Sequence, residues 1–253
     1  MTSDQNGTVP EIISFAFNGE SLTGYLYIPP GDGPFPCVLT NHGSGIEQGT
    51  SDLCRPGTAA LLTSWGYASL LVHRHGYGES TGVPWQTEVS AEFGTETYDK
   101  QLVERLQAES DDVVAAAEQI RNHASVDAER MAVMGSSFGG TVTLWAAMKT
   151  DRFRCAIDFA GAAINWDHTP RLRAAMTTAT EQTRCPLYFI QAENDYSTGP
   201  TRVLGQVAST DGHLIQSKVF PPFGLTADEG HFFEKYGSLL WGPSVRSFLD
   251  NWM

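Results

Sequence analysis

Residues 135–139, Gly-Ser-Ser-Phe-Gly, place Ser137 between two glycines in the pattern G-x-S-x-G. A serine hydroxyl becomes a strong nucleophile when a histidine accepts its proton and a carboxylate orients that histidine. Glycine at positions 135 and 139 would allow a sharp turn that exposes the hydroxyl between a buried strand and a helix. The residue pattern favours a nucleophilic serine, although a glycine-rich turn without chemistry would also fit these five residues.

A carboxylate and a histidine follow this serine in the order that such chemistry needs. Asp195 lies in a loop after an apolar run, and Glu193 in the same loop is the alternative acid. His231 is expected in a long loop between the last predicted strand and the last helix, whereas His213 is expected in a surface turn. We therefore predict that Asp195 orients His231 and that His231 accepts the proton of Ser137.

A second glycine-rich loop, residues 41–45, could stabilise the charge that forms during attack on a carbonyl. Its sequence is Asn-His-Gly-Ser-Gly, and it follows an early apolar strand. The backbone N–H groups of Ser44 and Phe138 are predicted to hold the oxyanion, an interaction worth about 3–4 kcal/mol. An ordinary turn is the alternative interpretation of this loop.

The elements needed to position these residues alternate between strands and helices. Two apolar segments flank Asn18-Gly19, which is typical of an antiparallel hairpin. Strands are predicted at residues 131–134, 153–159 and 215–220, among others, and helices near residues 98–123 and 138–149. A final helix is expected to dock against the domain with Val245, Phe248, Leu249 and Trp252 on one face. The pattern predicts one α/β domain over residues 1–253, with a mostly parallel sheet of about eight strands and helices on both faces. The polar segment 160–184 is too short for a large cap over the site.

The composition excludes several classes of function. Asp and Glu outnumber Lys and Arg by 29 to 16, giving a net charge of −13, which argues against a nucleic-acid partner. No metal-ligand spacing is visible, and buried free thiols are expected for Cys37 and Cys155. The first residues lack a signal-peptide pattern and no apolar run could span a bilayer, so we expect a cytoplasmic protein without a membrane partner.

The ordered serine, acid and histidine resemble the α/β-hydrolase fold superfamily. The compact length and the loops HGSG, GSSFGG, AEND and EGHFF are most similar to the dienelactone hydrolase family and its serine esterase relatives. The resemblance implies attack by Ser137 on an acyl carbonyl, proton transfer by His231, orientation by Asp195 and release by water, without a cofactor. Dienelactone hydrolases proper carry a cysteine nucleophile, so Ser137 favours a carboxylesterase-like activity.

Other side chains near these loops are candidates for a substrate pocket. They are His42, Arg74, His75, Trp85 and Trp166. The loop at residues 73–80 is similar to an arginine-and-glycine loop of the superfamily. The resemblance implies that its arginine pairs with a carboxylate beneath the floor of the site, so Arg74 has both interpretations. The two tryptophans could serve packing instead of recognition.

Several functions remain open from the sequence. The favoured one is hydrolysis of small esters or lactones by a serine hydrolase. The alternatives are a cofactor-free haloperoxidase or C–C bond hydrolase with the same triad, and a non-catalytic binding protein of the same fold. A peptidase is a weaker alternative, because oligopeptidase relatives usually carry an extra domain. The sequence predicts neither the oligomeric state nor the acyl and alcohol specificity.

Overall fold

A single eight-stranded sheet forms the centre of the computed structural model, which describes residues 9–51 and 56–253. The strands are β1 (Glu11–Phe17), β2 (Glu20–Tyr27), β3 (Phe35–Asn41), β4 (Ala68–His73), β5 (Val126–Ser136), β6 (Phe153–Phe159), β7 (Leu187–Ala192) and β8 (Ile215–Phe220). Their spatial order is β1-β2-β4-β3-β5-β6-β7-β8. β1 and β2 pair antiparallel, as do β2 and β4, and the remaining neighbours are parallel. The predicted sheet and its antiparallel start are confirmed.

Nine α-helices connect or flank these strands within the described residues. They are α1 (Pro56–Ser64), α2 (Trp85–Glu88), α3 (Glu96–Ile120), α4 (Phe138–Lys149), α5 (Pro170–Gln182), α6 (Gly199–Leu204), α7 (Ala227–His231), α8 (Phe233–Tyr236) and α9 (Ser238–Trp252). A short 3₁₀ turn covers Trp166–His168. None of the described helices combines the length and the apolar character needed to cross a bilayer.

Alternating strand residues create a hydrophobic core on each face of the sheet. In β5, Met131 and Val133 join the core that includes Leu102 of α3 and Val142 of α4. The intervening Ala132 and Met134 join the core that includes Trp241 of α9. Because successive strand side chains point to opposite faces, one short apolar run supports helices on both sides. Helices on both faces are therefore confirmed.

Several element boundaries differ from the sequence prediction. β5 begins at Val126, five residues before its apolar run, because Val126 already pairs with Phe35 of β3. The pairing is irregular over the next residues and resumes at Met131 opposite Cys37. The segment that contains His231 was expected to be a loop, yet it folds into α7 and α8. Trp252 was expected on the buried face of α9 but is 40% exposed.

The cysteines of the described chain are reduced and buried. Cys37 and Cys155 are free thiols in the core, which confirms the prediction for both, and Cys185 is also a buried free thiol. Burial in apolar surroundings raises the pKa of the Cys37 thiol to about 12, so this group stays uncharged near neutral pH. Cys54 lies outside the described residues.

Candidate active site

Ser137 lies in the sharp turn between the end of β5 and the start of α4. Its backbone has φ 59° and ψ −124°, in a region that residues with a side chain rarely occupy. The turn is held by hydrogen bonds from Ser137 N to the Phe159 carbonyl (2.9 Å) and from Gly140 N to the Ser137 carbonyl (2.9 Å). The strained backbone of Ser137 is therefore held by two hydrogen bonds, in a turn that presents the serine hydroxyl.

Both flanking glycines are required by close backbone contacts. A Cβ on Gly135 would lie 2.3 Å from the Gly139 carbonyl oxygen, and a Cβ on Gly139 would lie 2.3 Å from the Asn41 carbonyl oxygen. These separations are far shorter than any stable contact between carbon and oxygen. The two glycines of G-x-S-x-G thus allow β3, β5 and α4 to converge beneath the serine.

Three side chains from separate loops form one hydrogen-bonded series at this turn. His231 Nε2 lies 3.0 Å from Ser137 Oγ, and His231 Nδ1 lies 2.9 Å from Asp195 Oδ1. Asp195 and His231 are buried, whereas Ser137 keeps some exposure. With Nδ1–H donated to the carboxylate, Nε2 is the ring atom that can accept the serine proton. Glu193 is exposed, and Asp195 is the acid in contact with the histidine.

The acid is fixed by donors that the sequence analysis did not single out. Gln191 Nε2 donates to Asp195 Oδ2 (2.8 Å), and Tyr196 N donates to Asp195 Oδ1 (2.7 Å). Together with His231, these donors satisfy both carboxylate oxygens in a buried setting. A polar residue near the end of the apolar strand β7 was the available sequence signal for Gln191.

A separate set of contacts fixes the short helix that carries His231. A capping box between Thr226 and Glu229 begins α7. Asn194, next to the acid, donates to the carbonyls of Phe223 (3.0 Å) and Thr226 (2.8 Å). A Cβ on Gly230 would lie 2.7 Å from the Asn194 backbone, so α7 packs directly against the acid loop. The histidine and the acid are therefore positioned relative to each other by backbone contacts.

The loop predicted to bind the oxyanion lies against the nucleophile. A Cβ on Gly43 would lie 3.4 Å from Ser137 Cβ, which places this backbone beside the serine. Trp85 Nε1 donates to the Ser44 carbonyl (3.3 Å), and the Trp85 ring meets the Phe138 ring edge-on at 5.1 Å. The structure thus brings Ser44, Phe138 and Trp85 together beside Ser137. The loop could be predicted from the sequence, whereas the contact of Gly43 with Ser137 could not.

Two of the pocket candidates belong to the interior and have no surface to offer a substrate. His42 and Arg74 are fully buried. His42 packs edge-on against the Tyr77 ring at 4.6 Å, and its Nε2 accepts a hydrogen bond from Arg74 N. Arg74 Nε donates to Glu109 at 2.6 Å, which is the structural alternative considered for this loop. The interpretation of His42 and Arg74 as pocket residues is therefore wrong.

The remaining pocket candidates occupy different environments. His75 Nδ1 lies 2.5 Å from Asp112 Oδ2, and its side chain is 17% exposed. Trp166 is 5% exposed, and a Cβ on Gly199 would lie 2.4 Å from its indole ring, so it is packed inside the protein. Trp85, half-buried beside Phe138, is the candidate that the structure places next to the nucleophile turn.

Glu109 of α3 joins two arginines in a buried ion cluster beneath this loop. Arg74 and Arg105 donate to its two carboxylate oxygens at 2.6 and 2.8 Å, and Tyr77 Oη donates at 3.0 Å. Burial raises the pKa of the Glu109 carboxyl, but the charges and hydrogen bonds of the arginines outweigh it and leave that pKa below its usual value. The carboxylate is therefore charged at neutral pH.

We expect Glu109→Ala to lower the free energy of unfolding by about 3–5 kcal/mol, because buried Arg74 would lose its ionic partner and buried Arg105 would lose one of its two carboxylate partners. Urea denaturation provides the measurement. Glu104→Ala is the matched control in the same helix, since Glu104 is 64% exposed in its pair with Lys100 and should contribute less than about 1 kcal/mol. Equal effects of the two substitutions would contradict the interpretation of a buried cluster.

An exposed aromatic side chain borders the histidine. The Tyr196 ring lies edge-on to the His231 ring at 5.7 Å and is 47% exposed. Its hydroxyl donates to Asp228, and this hydrogen bond raises the pKa of the Tyr196 phenol. Phe232, 46% exposed, follows the histidine. In the described parts of the chain, no group of three or more His, Cys, Asp or Glu side chains is arranged to hold a metal ion.

Comparisons with known proteins identify a family and several relatives of this chain. The model of the prolyl oligopeptidase family (peptidase family S9) matches residues 55–187, just over half of the chain. Dipeptidyl-peptidase 5 of Porphyromonas endodontalis is 23% identical over 270 residues, covering 93% of this chain. The chain spans 36% of the length of that relative. A probable 2-oxo-3-(5-oxofuran-2-ylidene)propanoate lactonase of a Bradyrhizobium species is 26% identical, covering 72% of this chain and 68% of its own length.

Solved structures support the same fold. The Pyrococcus furiosus esterase PF2001 superposes with a TM-score of 0.69 at 15% identity, covering 100% of this chain and 95% of that one. At this identity the likeness shows the α/β-hydrolase fold alone. The family match extends from α1 to the start of β7 and includes the nucleophile turn. The chain has the α/β-hydrolase fold and belongs to the prolyl oligopeptidase family.

Proposed function

We propose that the chain is a serine hydrolase that cleaves small carboxylic esters or lactones through an acyl-enzyme intermediate. The observation that carries this proposal is the continuous series of hydrogen bonds from Ser137 through His231 to Asp195. Such a series is the arrangement that converts a serine hydroxyl into a nucleophile. The same geometry is unnecessary for a protein that only binds a ligand.

In the proposed reaction, Ser137 Oγ attacks the acyl carbonyl while its proton moves to His231 Nε2. Asp195 stabilises the imidazolium that forms. The N–H groups of Ser44 and Phe138 are proposed to hold the oxyanion, with the positive end of α4 aligned on the same charge. His231 then protonates the leaving alcohol, and the bond between the acyl carbon and that oxygen breaks.

Deacylation repeats these steps with water in place of the serine. His231 removes a proton from the water, whose oxygen attacks the acyl carbon. The second tetrahedral intermediate collapses, Ser137 Oγ leaves with the proton from the histidine, and the acid is released. The cycle uses only these side chains, backbone amides and water.

The names of two similar proteins support the proposal that the substrates are esters or lactones. One curated relative that the chain covers over most of its length is named as a lactonase, and a structural neighbour of equal size is named as an esterase. The dienelactone hydrolase-like assignment belongs to this proposal. The proposal also includes a small-molecule substrate and a cytoplasmic location. It includes no nucleic-acid or membrane partner.

Peptide hydrolysis is the second candidate. The matching family is named for oligopeptidases, and dipeptidyl-peptidase 5 covers 93% of the chain. The same triad can cleave an amide, because His231 could protonate a leaving amine as readily as an alcohol. The two candidates therefore differ in the groups that surround the acyl carbonyl and not in the nucleophile.

A substrate panel distinguishes these candidates. It contains p-nitrophenyl acetate and butyrate, a small lactone, and p-nitroanilides of single amino acids and dipeptides. We expect the highest kcat/KM for an ester or the lactone, with the p-nitroanilides at least about 100-fold slower, a difference of about 2.7 kcal/mol in activation free energy. Faster cleavage of a dipeptide anilide would favour the peptidase. A β-diketone, and peroxide with halide, test the C–C bond hydrolase and haloperoxidase alternatives.

A further inference from the structure

Asp158 is a buried carboxylic acid beneath the nucleophile turn, and the proposed reaction does not use it. It lies on β6 in register with Gly135 of β5 and is 5% exposed. Its Oδ1 accepts a hydrogen bond from Gly161 N at 2.7 Å. Its Oδ2 has no hydrogen-bond partner among the described residues. Burying a carboxyl oxygen without a hydrogen-bond partner lowers the stability of the folded protein, so we expect Asp158 to have a role that offsets this cost.

Two glycines make room for this carboxyl group against the first turn of α4. A Cβ on Gly140 would lie 2.1 Å from Asp158 Oδ1, and a Cβ on Gly161 would lie 2.4 Å from Oδ2. Gly140 is two residues beyond Phe138, and its N–H bonds to the carbonyl of Ser137. The carboxyl group therefore contacts the first turn of α4, immediately after the nucleophile.

The hydrogen bond to Gly161 closes a strained turn that also holds the nucleophile. Ala160 and Ala162, on either side of Gly161, have positive φ values of 56° and 61°. Phe159, between Asp158 and this turn, supplies the carbonyl that accepts the Ser137 N–H bond at 2.9 Å. Asp158 is thus linked to the backbone of Ser137 through one short turn.

Among residues 9–51 and 56–253, no ionic partner neutralises Asp158. The titratable groups on the elements packed against it are Asp127, Glu129 and Arg130 of β5, Lys149 of α4, Asp151 and Arg152 before β6, Arg154 and Cys155 of β6, and Tyr188 of β7. None of them hydrogen-bonds to Asp158 in the described chain. Lys149, the basic residue of α4, lies at the far end of the helix and binds Asp111.

We propose that Asp158 is a positioning residue that acts in its protonated form, and that its negative charge would compete with the oxyanion for the positive end of α4. The carboxyl oxygen holds the 159–162 turn in either state. A full negative charge beneath the first turn of α4 would weaken the positive potential at this end of the helix, which is proposed to stabilise the oxyanion. Burial raises the pKa of Asp158 to about 7, so the carboxyl group gains its negative charge as the pH rises through neutrality. The inference rests on the proposed ester hydrolysis.

The first test is the pH profile of kcat for p-nitrophenyl butyrate, with the product measured by chromatography. For the unmodified protein we expect a decrease of about two- to tenfold as pH rises through 7. Asp158→Asn keeps an acceptor for Gly161 and carries no charge, so its profile should lack this decrease. Asp151→Asn is the control, since Asp151 is 71% exposed before the same strand and should leave the profile unchanged. A decrease of equal size in Asp158→Asn would overturn the proposal.

A second measurement requires no turnover and separates failure of this inference from failure of the proposed function. The free energy of unfolding is measured by urea denaturation between pH 4 and 8. Because the folded pKa exceeds the unfolded value of 3.8, the folded state retains the proton longer. The stability of the unmodified protein should therefore fall relative to Asp158→Asn as pH rises to about 7. If the difference in unfolding free energy between the two proteins does not change with pH, Asp158 is not protonated in the folded state and the proposal is overturned, whatever the substrate.

If Asp158→Asn does not fold, Asp158→Ser provides the uncharged variant, since its hydroxyl can accept from Gly161. The expected results are the same: the decrease above pH 7 and the pH-dependent loss of stability both disappear. A serine variant that keeps both features would also overturn the proposal.

Discussion

Replacing Ser137 with alanine is expected to lower kcat for p-nitrophenyl butyrate by about 10⁵- to 10⁶-fold. The substitution removes the oxygen that would form the acyl bond, while His231 and Asp195 stay in place. Any residual rate would come from the oxyanion donors and substrate binding, which can still accelerate attack by water. Initial rates with high enzyme concentration, together with labelling by a fluorophosphonate, provide the measurement.

Ser136→Ala is the matched control for this substitution. It removes a hydroxyl one residue away, at the buried end of β5, and should change kcat by less than about tenfold. The unfolding transition of both variants should stay within about 1–2 kcal/mol of the unmodified protein. Undiminished turnover by Ser137→Ala, or labelling of that variant, would contradict the nucleophile assignment.

Asp195→Asn is expected to lower kcat by about 10⁴-fold. The amide has nearly the same shape but would offer an N–H group to His231 Nδ1 and favour the wrong ring tautomer. Nε2 would then carry the proton and could not accept one from Ser137. The Gln191 side chain, which donates to Asp195 Oδ2, would still hold the residue near its present position. The loss should appear in kcat more than in KM, because the buried Asp195 side chain has no exposed surface for a substrate to contact.

Glu193→Gln distinguishes the two acids of this loop. Glu193 is exposed, so its substitution should change kcat by less than about threefold. Both variants are compared at constant pH with the same ester. A large loss in Glu193→Gln combined with a small loss in Asp195→Asn would assign the acid to Glu193 and contradict the distances in the structure.

The parts of the fold that could be predicted from the sequence are those set by local patterns. The bounds of β6 and β8 are those predicted, and α4 also begins and ends as predicted. The nucleophile motif and the order of acid and histidine could also be recognised in the sequence. These residues could be expected to lie together because the carboxyl ends of parallel strands converge at one edge of the sheet. Those patterns require no knowledge of distant partners.

The remainder depends on contacts between residues far apart in the chain. Arg74 was a candidate for the pocket as well as for an ion pair beneath it, and its burial depends on Glu109, 35 residues later in α3. Asp158 looked like one polar residue within an apolar strand, and its surroundings depend on Gly140 and Gly161. His231 was expected in a loop, because a five-residue helix has no apolar repeat and is fixed by the capping box of Thr226 and Glu229.

The crowding of glycine backbone at the nucleophile turn also determines how this protein can be engineered. Gly135, Gly139 and Gly140 leave no volume for even one methyl group, so random libraries that cover them would consist mostly of misfolded variants. Tyr196 and Phe232 lie beside His231, with about half of each side chain open to solvent. Libraries limited to these two positions would alter the surroundings of the histidine while leaving the turn intact. Specificity and foldability can therefore be varied separately in this protein.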